Sequence, residues 1–222
     1  MSGGSSGLIR MSERVANCPN CGAPIKFLWS SAVQTTCEFC HSILVRRDVD
    51  LERVGELADR PPDSSPLQIS SEGIYAGKPF VVVGRILYDY EQGGWNEWHL
   101  IFNDGASGWL SDAQLEFDIS FLGPAPSALP PAGSLVCGNN FQWNGAEYEV
   151  TSLTRAHYRG VEGELPFVYW DKSDVLFADL RTADGRFATI DYSDQTPLLF
   201  LGEAVEFDAL RLKNLREFEG WK

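Results

Sequence analysis

Tyr75-Ala76-Gly77-Lys78-Pro79-Phe80-Val81-Val82 returns sixty-eight residues later as Trp143-Asn144-Gly145-Ala146-Glu147-Tyr148-Glu149-Val150. In each copy an aromatic residue is followed two positions on by glycine. An aromatic and a valine then alternate with other residues. A period of two marks a half-buried strand, and a glycine between two such runs marks a tight turn. The phrase therefore reads as strand, turn, strand, written twice. The same shift places Leu67 on Leu135 and Tyr90 on Tyr158. Further on, Asn103-Asp104-Gly105 falls on Ala183-Asp184-Gly185 at a shift of eighty, so the second copy carries about a dozen extra residues within positions 163–174.

The rest of this stretch has the same character. Phe80, Val82, Ile86, Tyr88 and Tyr90 share one parity. Trp98, Leu100 and Phe102 alternate, as do Leu115, Phe117, Ile119 and Phe121. Gly93-Gly94 and Asp104-Gly105 are turn signals between runs. The expected class is mostly β, with two related small SH3-like β-barrel or β-roll modules over residues 67–123 and 133–222. The Pro/Ala/Gly-rich stretch 124–133 joins them. Val205 and Phe207 continue as a strand, and Leu212, Leu215 and Phe218 have the spacing of a short final helical turn.

Upstream, Cys18-Pro-Asn-Cys21-Gly22 and Cys37-Glu-Phe-Cys40-His41 form two C-x-x-C knuckles fifteen residues apart, the spacing of a zinc site. Each knuckle aims two thiolates to one side, and two facing knuckles complete a tetrahedral sulfur site. Between them, Ile25–Trp29 and Val33–Thr36 read as a hairpin turned at Ser30-Ser31. This is a zinc ribbon over residues 15–45, with Cys18, Cys21, Cys37 and Cys40 holding a structural Zn2+. Four thiolates close the coordination sphere, so the metal is expected to support the fold and not to catalyse. Iron shares this ligand set and stays open. Cys37-x-x-Cys40-His41 also matches a c-type haem attachment, but that leaves Cys18 and Cys21 idle, and the only methionines are Met1 and Met11.

The chain has 222 residues, of which 44% are hydrophobic, and a net charge of −13. Residues 1–60 balance seven basic against seven acidic side chains, while residues 61–222 hold eleven against twenty-four. So acidic a body repels phosphate backbones, which makes nucleic acid an unlikely partner for it. Only the neutral ribbon escapes, where Lys26, Arg46 and Arg47 could meet phosphates. No run approaches the apolar length of a transmembrane segment. Residues 1–14 read as a Gly/Ser-rich flexible leader without the apolar core of a signal peptide. A cytoplasmic location follows, where cysteines stay reduced. Residues 46–66 read as a charged, Pro-rich linker. In it Leu51, Val54, Leu57 and Ala58 have helical spacing, and Pro61-Pro62 to Pro66 breaks the chain.

Several segments resemble the DUF4178 domain family, bacterial proteins often preceded by a zinc ribbon. They are Val83-Gly84-Arg85-Ile86, Trp95-Asn96-Glu97-Trp98, Gly108-Trp109-Leu110 and Val161-Glu162-Gly163-Glu164-Leu165-Pro166. The resemblance spans about residues 15–215. The family is one of unknown function, so what the resemblance implies is architecture. It also implies a loose association with membrane-stress and polyamine-related gene sets.

Catalytic signatures are sparse. The histidines are His41, His99 and His157, and neither His99 nor His157 forms a recognisable nucleophile motif with Cys137. Cys137 aligns with Ile69, an apolar strand position, and reads as a core residue. His99 has the parity opposite to Trp98 and Leu100 and is expected to be half-exposed. Acidic residues such as Glu97, Asp104, Glu162, Glu164, Asp179 and Asp184 are numerous enough to pair by coincidence. Glu97 and Glu164 stand out because each sits in a distinctive aromatic or Pro-containing motif, either capping a turn or serving as an acid–base group. Trp95, Trp98 and Trp109 either fill the barrel or present a binding surface, a role aromatics often take at interfaces. Trp95, Glu97, Trp98, Trp109 and Glu164 are thus the candidate binding surface. The leading expectation is a non-enzymatic zinc-ribbon adaptor that binds a protein partner through its β modules. The alternatives are an enzyme with a carboxylate-based site between the modules and nucleic-acid binding through the ribbon.

Overall fold

The computed structural model of the chain describes residues 14–47, 50–57, 65–124, 129–143, 145–168 and 174–217. Period-two alternation becomes strand almost everywhere. The ribbon contributes β1 (Arg14–Asn17), β2 (Pro24–Phe27), β3 (Gln34–Thr36), β4 (Ser42–Arg47) and β5 (Asp50–Glu56). The first half of the body contributes β6 (Glu72–Tyr75), β7 (Lys78–Tyr90), β8 (Gly93–Phe102), β9 (Ser107–Ala113) and β10 (Glu116–Leu122). The second half contributes β11 (Asn140–Trp143), β12 (Ala146–Gly163), β13 (Asp174–Arg181), β14 (Arg186–Asp191) and β15 (Leu198–Ala204).

The quoted phrase folds alike in both places. Tyr75 pairs with Lys78 and Trp143 with Ala146 around turn glycines at φ 76° and 77°. The Ser70 N–H donates to the Val82 carbonyl at 2.8 Å, and the Gly138 N–H donates to the Val150 carbonyl at 2.8 Å. At the later shift, Gly105 and Gly185 have φ of 84° and 85°, and donate to Phe102 and Thr182 respectively.

The mostly β class holds, as one large sheet beside a four-cysteine region. The modules do not close individually. β7 pairs with β12 and β10 with β15, so eight antiparallel strands form one ring in the order β7, β8, β9, β10, β15, β14, β13, β12. β6 and β11 are appended outside it. A half with free ends would expose two sheet edges, and mutual pairing satisfies the backbone groups on all four.

Bulges decide which face each residue takes. The register of β7 shifts between Val82 and Gly84. Phe80 and Val82 therefore join an outer core with Trp98, Leu100, Leu110 and Ile119, while Ile86 and Tyr88 turn into the ring with Trp109, Tyr158 and Phe177. The shared parity of Phe80 and Tyr88 thus does not mean a shared face, because one extra residue reverses the alternation. A second outer core holds Tyr148, Val150, Leu180 and Ile190.

Three expectations change. Residues 50–56 form β5 on the edge of β4, where a helix was expected; a register shift beside Val54 turns a strand period into the three-residue spacing of Leu51 and Val54. Cys137 is exposed, because it lies in the loop before β11 and not in a strand. The C-terminal segment leaves the sheet at Ala204, so Val205 and Phe207 are not the strand expected: Phe207–Leu210 is a 3-10 turn, and Leu212 and Leu215 pack on the first outer core without the helical turn expected there. Ala58, residues 58–64 of the linker, Phe218 and the leader up to residue 13 lie outside the described residues.

Candidate functional site

The ribbon hairpin aims its cysteines inward. The Cys18 and Cys40 sulfurs are 3.6 Å apart and those of Cys21 and Cys37 are 3.7 Å apart. All four lie within 4.8 Å of one another. A metal–sulfur bond of about 2.3 Å gives a tetrahedron with edges of about 3.8 Å, so the spacing fits a single ion. Ser42 and then Asn20 hydrogen-bond the Cys40 sulfur and pull its thiol down to about 5, while burial raises the Cys37 thiol and, against the Ala23 backbone hydrogen bond, desolvation and the neighbouring sulfurs push Cys21 up to about 12. Ile25, Phe27, Ala32 and Leu44 surround the centre, a small core to which a metal held by the four cysteines would add most.

The ribbon is bolted to the ring by the segment after β12. Leu165 exchanges backbone hydrogen bonds with Gln34, and the Val33 N–H donates to the Leu165 carbonyl. The Glu164 carboxylate accepts the backbone N–H groups of Leu28 at 2.5 Å and Trp29 at 2.8 Å. It caps a turn of another element 136 residues away. Burial pushes its carboxyl up to about 7 against those two bonds. Glycine is needed where this segment crosses β7: a Cβ on Gly84 would overlap the Glu164 carbonyl oxygen. Ile43 of the ribbon completes the apolar part of the ring interior with Leu165 and Trp109.

His99 is buried, not half-exposed, because the ribbon covers its face of the sheet. The Glu164 carbonyl can only accept, so Nδ1 donates to it at 2.9 Å, and Nε2 accepts from the Ser107 hydroxyl at 2.8 Å. Burial pulls the imidazole down to about 4, so it is neutral. Trp98 is fully buried against the Arg85 guanidinium, 4.9 Å from its ring. Trp109 is buried beside His99. Arg85 is itself buried, with Asn96 and Glu162 as partners. Two of the ribbon's basic residues are engaged locally. Arg46 donates to the Ser30 carbonyl, and Arg47 pairs with Glu52.

Trp95 and Glu97 are placed differently. They lie on the inward face of β8 and line a cavity of about 340 Å3 inside the ring. The Trp95 indole N–H donates to Glu97 at 2.9 Å, and the Ser111 hydroxyl donates to the same carboxylate. Ser152, Asp179, Arg181 and Thr189 of the second half complete the wall. Burial pushes the Glu97 carboxyl up to about 7, and Asp179 and Asp118 add like charge. Burial raises Asp118 as well, opposed by Arg181 at 3.3 Å. Asp179 accepts from Ser152 and Thr189, both at 2.7 Å.

The five singled-out residues therefore divide. Trp95 and Glu97 meet at the cavity, Trp98 and Trp109 are core, and Glu164 fastens the ribbon. Asp118, Arg181, Ser111 and Ser152 escaped sequence reasoning. Polar residues alternating with apolar ones read as solvent-facing whenever ring closure is unknown. His157 pairs at the surface with Asp174, away from the cavity.

Among the described residues, no helix is long and apolar enough to cross a membrane. No curated protein and no solved structure matches the chain. Residues 68–207, from the approach to β6 through β15, match the model of a domain of unknown function, DUF4178. That span holds the whole ring and its cavity, and the chain belongs to the DUF4178 family.

Proposed function

We propose that this protein is a non-enzymatic, metal-braced binding protein, a cytoplasmic adaptor that engages its partner at the mouth of the cavity between the two halves. The observation that carries this reading is the wall shared by both halves, with Trp95 and Glu97 on one side and Ser152 and Asp179 on the other. On this reading the two halves are tandem copies of one module, which the repeated backbone bonds support. The brace is zinc, since a closed set of four thiolates favours it as a structural ion. A protein partner is supported by Leu115. It is 80% exposed at the tip of the β9–β10 hairpin, between the cavity-lining Ala113 and Glu116. Its φ of 71° adds backbone cost to an exposed apolar side chain, a combination that contact with another protein would explain.

The test is cross-linking and purification from the native cell, comparing wild type with Leu115→Ser and Trp95→Ala. A stoichiometric protein lost in both variants is expected. A partner retained equally by all three would remove this mouth as the docking site. A second reading, an enzyme with a carboxylate-based site, is favoured by Glu97, which burial raises to about 7 at the cavity wall, the range of a general acid or base. Turnover abolished by Glu97→Gln with the fold intact would put that reading first.

A further inference from the structure

Each half carries one strand outside the ring, β6 in the first and β11 in the second, and these two end the sheet. The loops that lead into them carry the same backbone bonds. The Ser71 N–H donates to the Gln68 carbonyl and the Asn139 N–H to the Val136 carbonyl, both at 3.0 Å. The Val82 N–H donates to the Ser71 carbonyl at 2.8 Å, and the Val150 N–H to the Asn139 carbonyl at 2.9 Å. Glu72 then stands opposite Val81 as Asn140 stands opposite Glu149. Glu72 turns its own N–H and carbonyl away from the sheet, and the same register gives Asn140 the same direction.

The first edge is filled by the chain's own C-terminal segment. Lys213 exchanges both backbone bonds with Glu72, at 2.8 and 3.1 Å. The Gln68 and Ser71 side chains donate to the Asn214 carbonyl. Leu210, Leu212 and Leu215 pack on the first outer core, where Leu67 is fully buried. The second edge is open. Among the described residues, no backbone group pairs with Asn140 from outside. Leu135, the counterpart of Leu67, is only half-buried, Val136 is 56% exposed, and residues 137–140 are all exposed.

Chain connectivity explains the difference. The Gly123 N–H donates to the Leu199 carbonyl and the Val205 N–H to the Phe117 carbonyl, both at 2.8 Å, so the chain leaves β10 as it leaves β15. After β15 it is free to run back along β6. After β10 it sets Leu129 on the second outer core and must then enter the β11 loop at Leu135. Pro130 and Pro131 offer no N–H on the way.

We propose that the β11 edge docks an extended segment of a partner protein, added as an antiparallel strand opposite Asn140 as Lys213 is added opposite Glu72. The two edges differ in ways that define the segment. Phe141 stands where Gly73 makes room for Leu212, so the residue at the place of Leu212 is small. Glu149 stands where Val81 stands and, with Glu147, makes the outer face acidic, so the residue opposite Asn140 is a lysine or arginine, as Lys213 is. Leu215, beside the residue that bonds Pro66, packs on the core that buries Leu67; a large apolar residue in that place covers Leu135 and Val136. Each copy's own C-terminal segment is already committed to β6, with Leu210 only 1% exposed, so the occupant comes from another protein. None of these residues lines the cavity, so this edge and the cavity mouth are separate sites.

The experiment uses the full, metal-loaded chain and a synthetic peptide of residues 205–217 carrying Leu212→Ala. Hydrogen exchange and amide NMR shifts are read at Glu72 and Asn140. In the chain alone, the Glu72 amide is expected to exchange about tenfold or more slowly than that of Asn140. The peptide is expected to bind with submillimolar affinity, to shift the Asn140 amide and to slow its exchange about tenfold, leaving Glu72 unmoved. Lys213→Pro in the peptide removes the pairing N–H and should weaken binding about tenfold. Val136→Glu in the chain, at an exposed position where melting should not change, is expected to weaken it as well. An Asn140 amide as slow as that of Glu72 in the dilute chain would show the edge already covered from within. Slowing that grows with protein concentration would give the edge to a second copy. Either result overturns the proposal, and so does a peptide that moves Glu72 and not Asn140, or one that reaches neither.

Discussion

The ribbon and the ring are held together by different forces. In the ribbon, a handful of apolar side chains surrounds four thiols close enough to share one metal ion, which would supply what so small a core cannot. In the ring, aromatic residues such as Phe80, Trp98 and Tyr158 are fully buried, and ladder pairing runs all the way round. The lesson concerns autonomy. A part stabilised at one point fails all at once when that point is lost. A part stabilised by closure loses stability gradually as packing is eroded.

Removing the metal presses hardest on this contrast. Structural zinc contributes on the order of 10–16 kcal/mol in small ribbons. Chelation, or a Cys18→Ser/Cys37→Ser variant, should abolish amide protection across β1–β4 while β8, β9, β13 and β14 keep theirs, measured by hydrogen exchange. Ribbon amides that stay protected without metal would erase the distinction. Next in size is Trp98→Ala, which should cost about 3–5 kcal/mol in denaturant unfolding of the ring and leave metal stoichiometry unchanged. Loss of metal in that variant would mean that the ribbon borrows its fold from the ring.

Glu164→Ala probes the joint between the two. It leaves the Leu28 and Trp29 amides without their acceptor, at about 1–3 kcal/mol for such a buried group. Faster exchange at those two amides is expected, with the ring's own melting little altered. Equal loosening of the whole molecule would show one cooperative unit. The last effect is a slope with pH, spread over several pH units. Glu97 is raised from 4.5 to about 7 in the fold, so its contribution to stability is complete below 4.5 and is lost as pH rises through 7. His99, lowered from 6.5 to about 4, has the opposite sign: its contribution is present above 6.5 and is lost as pH falls towards 4. Glu97→Gln should flatten the decline in melting temperature between pH 5 and pH 8. An unchanged slope would assign that decline to Glu164.

The knuckles were legible because a metal site is written in local spacing. Cys18, Cys21, Cys37 and Cys40 need only two short turns to converge. The repeated phrase was legible for the same reason, since each turn glycine sits within its own hairpin. Ring closure was not, because the β7–β12 and β10–β15 pairings join residues some seventy to ninety positions apart, and no short window contains both partners. The cavity followed closure into obscurity. Asp179 and Ser111 alternate with apolar neighbours as surface residues do, and only a closed ring turns that face into an interior. His99 and β5 were missed at single bulges or contacts, Val54 in one case and the ribbon's Trp29 in the other.

The joint at Glu164 and Leu165 also sets an order in time. The ribbon leaves the ribosome first, but the residues that clasp it are made 136 positions after Leu28. At roughly 5–20 residues per second, the ribbon waits on the order of ten seconds before Leu165 is made to pair with its edge. A metal held by the four cysteines would be what keeps it folded during that interval. The supply of metal at the moment of synthesis would then decide whether the ring, once closed, meets a finished ribbon or an open strand edge free to pair with a neighbouring nascent chain.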